Sequence, residues 1–158
     1  MHLESHGIVA DLPPGWEGAI EVERDRDAVS LAELGGVLRP VTHLGTFPLP
    51  RDRGDFGSGA VDMMGDEDAF VALVEYDPAE ASSELFAARG LPRSLDPRAF
   101  STQALQRQRG RQAGWQGFFN EGGRAFCLYV VLGDVDDVHL LARRVEQVLA
   151  GIRVEVER

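Results

Sequence analysis

Three stretches of this sequence carry side chains whose types and spacing could do chemistry. The only cysteine, Cys127, lies inside "GGRAFCLYVVLGD", residues 122–134, the most apolar run of the chain. A thiol attacks as the thiolate, which needs an exposed position beside a cation, a histidine or a helix N-terminus. The four histidines, His2, His6, His43 and His139, are scattered and show no HxxxH or HExxH spacing for zinc. His139 is nearest Cys127 in sequence, but with no Asn or Asp to orient it the two do not make a dyad. "DMMGDED", residues 62–68, gathers Asp62, Asp66, Glu67 and Asp68. Hard cations take such oxygen ligands, although the alternation and the final glutamate of an EF-hand loop are missing. Met63 and Met64 read as hydrophobic plugs in the same loop. "RQRGR" spaces Arg107, Arg109 and Arg111 two apart, with Arg93 and Arg98 upstream. Arginine forks pair with carboxylates, so these five residues form a candidate protein-binding stripe; the alternative is a charged edge that discourages sheet-to-sheet association.

The elements that must position these groups are mostly strands. "GIVADLP" and "EGAIEVER" alternate on either side of "PPGW", which predicts a hairpin with Trp16 over its end. "AVSLAEL" fits a helical turn or a strand and stops at Gly35 and Gly36. The prolines of "PVTHLGTFPLP" exclude helix and place it at an edge or a strand start, with His43 on the face of Val41 and Phe47 as a hydrogen-bonded histidine at the core edge. Arg51 to Asp68 is the longest loop. Ala69 to Tyr76 is a strand with two apolar faces, which requires a layer on each side of the sheet. Asp77, Pro78 and Glu80 predict a helix to Arg89, stopped by Gly90. "AFSTQALQRQRGRQ" reads as extended, and "GWQGFFN", "EGG" and "RAFCLYVVLG" as a hairpin whose rings Trp115, Phe118 and Phe119 occupy both faces. Along the second strand Phe126, Leu128, Val130 and Leu132 oppose Ala125, Cys127, Tyr129 and Val131, so Cys127 is expected to be buried by helical layers, with its thiol pKa raised. Asp134 caps a C-terminal helix whose stripe is Val138, Leu141, Val145, Val148 and Leu149, and "IRVEVE" is a last strand or an ordered tail.

Composition narrows the functional classes. The 158 residues make one domain, 1–158, able to bury about two thirds of the unfolded surface. All sixteen basic residues are arginine, so a Schiff-base lysine and the lysine of a phosphate-cradling loop are both ruled out. A GC-rich genome accounts for the bias. The net charge of −10 is uneven: residues 1–80 hold five arginines against seventeen acids, and residues 81–158 eleven against nine. Such a surface repels nucleic acid. No apolar run spans a bilayer and the N-terminus lacks a secretory pattern, so the expected location is cytoplasmic.

The opening "GIVADLPPGWEG" and the ending "CLYVVLGDVDDVHLLARRVEQVLAGIRV", about forty residues, resemble the PsbP-like fold shared with the Ran-binding Mog proteins. The chain also resembles uncharacterised proteins of GC-rich bacteria. The PsbP-like resemblance implies an α+β fold, an α/β/α sandwich around a largely antiparallel sheet, and a non-catalytic accessory role in assembling larger complexes; no functional residue carries over. The expectation is therefore a non-enzymatic accessory or protein-interaction domain with no catalytic residue, cofactor or metal. Its partner is another protein, not nucleic acid or membrane, with a homo-oligomer as one form. Two alternatives stand beside it: a divalent-cation-dependent or hydrolytic protein using loop 51–68, and a self-assembling structural subunit.

Overall fold

The structure, a computed structural model, describes residues 1–22 and 39–156; the segment "AVSLAEL" lies outside them. Two antiparallel sheets and one α-helix make a mixed α+β fold. The five-stranded sheet has the order β3 (Glu17–Val22), β4 (Pro40–Gly45), β5 (Ala69–Tyr76), β7 (Arg124–Leu132), β6 (Ala113–Glu121). A smaller sheet has the order β1 (His2–Ser5), β2 (Ile8–Asp11), β8 (Ile152–Val154). The only α-helix among the described residues is α1 (Val138–Leu149), and none of their helices is long and apolar enough to cross a membrane.

The hairpin of β6 and β7 closes through Gly122 (φ 59°) and Gly123 (φ 79°). Both loop residues have the positive φ that matches the twist of paired strands. Every residue of β7 is buried and β5 is buried up to Glu75, as two-sided apolar strands at the centre of a sheet require. Pro40 opens β4, where its missing N–H does least harm.

The alternation in β7 sorts its side chains as the sequence reading expects. Phe126, Leu128, Val130 and Leu132 join Val71 and Leu73 in a core shared with Leu141, Val145, Val148 and Leu149 of α1 and with Ile8, Ala10 and Ile152 of the small sheet. Tyr129 and Val131 join Phe70, Ala72 and Val74 on the opposite face. Phe119 stacks on Phe126 on the helix side, while Phe118 meets Tyr76 and Phe86 on the other.

Four local expectations are corrected. The strands flanking "PPGW" do not pair with each other: β2 pairs with β1 and β8, and β3 with β4. The Trp16 N–H donates to the Pro13 carbonyl with Pro14 and Gly15 (φ 90°) between them, a type II pattern that splays strands apart. The helix expected from Asp77 to Arg89 is two short 3-10 turns, Pro78–Ser82 and Glu84–Phe86, although Asp77 does cap the first. Ser83 is extended between them and only Phe86 is buried, so there is no apolar stripe to repay helix nucleation. Asp134 caps a 3-10 turn, Val135–Asp137, that leads into α1 rather than capping α1 itself. The segment before β6 holds a 3-10 turn, Thr102–Ala104, instead of running extended.

The face of the sheet that carries Cys127 is thus closed by the 3-10 turns around Phe86 and by the loop bearing Phe47, Phe56, Val61 and Met64. Helix α1 lies on the other face. Met64 packs inward as a plug, whereas Met63 is 56% exposed.

A buried ion pair within the large sheet also anchors the small one. Arg124 donates from Nε and Nη2 to the two carboxylate oxygens of Glu75, at 2.9 and 2.6 Å, with both side chains buried. The same guanidinium donates to the carbonyls of His6, Gly7 and Glu155, on the small sheet's hairpin and just beyond β8. Its face rests 5.3 Å from the Phe126 ring centroid. A planar fork with five donors suits this position, and a lysine would not.

Candidate functional site

Cys127 is fully buried between Val74 and Phe118 on the neighbouring strands. Burial pushes its thiol up to about 11, the opposite of what a nucleophile needs. His139 is exposed on α1 and does not approach it from the Cys127 side of the sheet.

His43 sits on β4 with its ring 5.4 Å from that of Phe70. Its Nε2–H donates to the Asp55 carbonyl at 2.8 Å, and its Nδ1 accepts from Arg53 Nε at 2.7 Å. Those two bonds fix one neutral tautomer. Burial, with the Arg53 charge adding to it, holds His43 below its ordinary value of 6.5. Arg53 is itself buried and donates from Nη1 to the Pro50 carbonyl. Its Nη2 lies 3.3 Å from Glu21 Oε2, close enough for an ion pair but outside hydrogen-bond geometry. Arg53 and His43 line an open hollow of about 920 Å³ with Ile20, Glu21 and Asp55.

The acidic loop disperses its carboxylates. Asp62 pairs with Arg109 at 2.9 Å, and Asp68 accepts from the Thr46 hydroxyl and the Gly65 N–H at 2.9 and 2.8 Å. Among the described residues no three His, Cys, Asp or Glu side chains are placed to hold a metal ion.

The five candidate arginines fall into separate settings. Arg93 donates to the Leu149 carbonyl at the end of α1. Arg98 forks onto Asp96, with Asp96 held below the usual carboxylate range by that bond. Arg111 bridges Asp134 and Asp136, whose charges raise it further, Asp134 first. Arg109 is held by Asp62 as described. Arg107 alone of the five makes no ion pair or hydrogen bond with a described residue. The structure therefore brings Arg107, Arg109 and Arg111 to one loop and leaves Arg93 and Arg98 apart from them, tied to α1 and Asp96.

Beside Arg107 the loop residues 55–62 and 105–112 flank a cleft of about 270 Å³. Val61, Leu105, Val131 and the rings of Phe56 and Tyr129 supply its apolar lining, and Phe56 meets Tyr129 edge-on at 5.7 Å. Gln112 Nε2 donates to the Val61 carbonyl at 2.8 Å and ties the two walls together. Tyr129 is 2% exposed, and its oxygen accepts from the Gln106 N–H at 2.8 Å. Its own hydroxyl hydrogen is donated to no described residue. The β7 alternation places Tyr129 on this face but assigns it no role; a lone phenol in an apolar strand, which needs a hydrogen-bond partner when buried, is the signal that marks it.

No protein-family model, no curated protein and no solved structure matches this chain.

Proposed function

We propose that this chain is a non-enzymatic accessory domain that binds another protein, acting in the cytoplasm and assisting assembly of a larger complex. The observation that supports the reading best is the fate of the nucleophile and base candidates. Cys127 is sealed in the middle of the sheet, and His43 has both ring nitrogens engaged by the protein. The PsbP-like sandwich plan belongs to the same proposal; the packing of α1 on one face of the five-stranded sheet supports it, with loop and 3-10 turns forming the opposite layer.

Of the arginine stripe, Arg107 is the residue free to meet a partner's carboxylate, because Arg109 and Arg111 are held by Asp62, Asp134 and Asp136. The test is capture with the immobilised chain, followed by reconstitution with the purified captured protein. Arg107→Glu is expected to weaken that binding roughly tenfold, with the loss shrinking at high salt. Binding unchanged by Arg107→Glu removes this surface from the proposal, and a purified chain that hydrolyses or turns over a substrate removes the non-enzymatic reading.

A further inference from the structure

The cleft between residues 55–62 and 105–112 combines two features that internal packing does not use. One is the Tyr129 hydroxyl hydrogen, on a side chain 2% exposed whose oxygen is already occupied by the Gln106 N–H. The other is the Arg107 guanidinium on the cleft lining, which no carboxylate of the described residues neutralises. The cleft also has an apolar wall, Val61, Leu105, Val131 and the rings of Phe56 and Tyr129, beside the polar Ser58, Gln106 and Gln112. A buried donor with no acceptor is costly unless something accepts from it.

We propose that this cleft binds a small carboxylate carried on an apolar body, with the carboxylate accepting from Tyr129 O–H and Arg107 and the body lying against Val61, Leu105 and Val131. The size agrees. An apolar cavity of about 150 Å³ takes up benzene, so about 270 Å³ holds one ring and its carboxylate and falls below the usual range for drug-sized ligands. Charge agrees as well. Asp62 on the rim is neutralised by Arg109 at 2.9 Å, which leaves Arg107 and Asp55 as the remaining charged residues of the lining. Their formal charges sum to zero although they form no ion pair, so discrimination rests on the Tyr129 hydroxyl and the Arg107 guanidinium and not on net charge.

This site goes beyond the protein-partner reading and needs no partner, so it is tested on the isolated full chain. The ¹⁵N-labelled protein is titrated with benzoate, with benzamide as the neutral isostere and with benzylammonium as the cation, following the Gln106 amide that donates to Tyr129. Benzoate is expected to move that resonance saturably at millimolar concentration, benzamide to bind several-fold more weakly and benzylammonium most weakly. Arg107→Gln is expected to weaken benzoate roughly tenfold, the loss of a charge-assisted hydrogen bond, and to leave benzamide unchanged. Tyr129→Phe weakens both, with its melting temperature as the check on folding. The proposal is overturned by the absence of a saturable shift up to about 10 mM, by benzylammonium binding as tightly as benzoate, or by benzoate binding that Arg107→Gln does not alter.

Discussion

Replacing Arg124 by Met should destabilise the protein far more than replacing Arg124 and Glu75 together. In the single variant the Glu75 carboxylate stays buried, its side chain 1% exposed, and loses both of its guanidinium hydrogen bonds. Breaking one partner out of a buried pair costs about 3–5 kcal/mol. The carbonyls of His6, Gly7 and Glu155 lose a donor at the same time, so the upper end of that range applies. For a chain of 158 residues this lowers the melting temperature by roughly 10–15 °C, at about 2–4 °C per kcal/mol. In Glu75→Leu/Arg124→Met no charge is stranded, and apolar groups of similar volume occupy the site against Phe126; the loss should fall to about 1–2 kcal/mol, chiefly from the three carbonyls. Urea unfolding followed by the fluorescence of Trp16 and Trp115 gives the four corners of the double-mutant cycle. A coupling energy under about 0.5 kcal/mol, or a double variant weaker than both singles, would show that the two buried charges do not depend on each other and would refute the reasoning.

Two further outcomes follow from the buried groups. Cys127 in the native protein should react with a thiol reagent at pH 8 at least a hundredfold more slowly than a free peptide thiol, since it is fully buried and its pKa is pushed up to about 11; labelling at the peptide rate contradicts the sealed interior. His43, whose pKa is lowered from 6.5 by burial, contributes stability that is complete above its unfolded value. That contribution declines as pH falls through 6.5 towards the folded value, because the unfolded state takes up the proton first. Urea unfolding between pH 7.5 and 5 should show wild type losing more stability than His43→Gln, and parallel pH profiles for the two would contradict the assignment.

Much of the large sheet was legible in the sequence. Short runs apolar on both faces marked β5 and β7, the Gly122-Gly123 pair marked the hairpin of β6 and β7, and the apolar stripe marked α1, because strand and helix patterns are local properties of the chain. Burial of Cys127 and the hydrogen-bonded character of His43 were readable for the same reason: each inherits its side of a strand from its neighbours. The failures share a cause. Asp77, Pro78 and Glu80 spell a helix start, but whether a helix continues depends on a face to bury, and residues 78–86 bury only Phe86. "PPGW" spells a turn, yet which strands pair across it is decided by sheets assembled from distant segments.

By itself, then, the order of residues determined which side chains point together within each strand and helix, and that no lysine chemistry is available. Tertiary structure alone decided that Arg124 meets Glu75 across 49 positions, that Asp62 and Asp134 claim Arg109 and Arg111, and that Arg107 and Tyr129 are left at one cleft. The physical reason is range. Periodicity follows from backbone geometry over a few residues, whereas a charge finds its counter-ion, or goes without, only after non-neighbouring segments have been brought into contact.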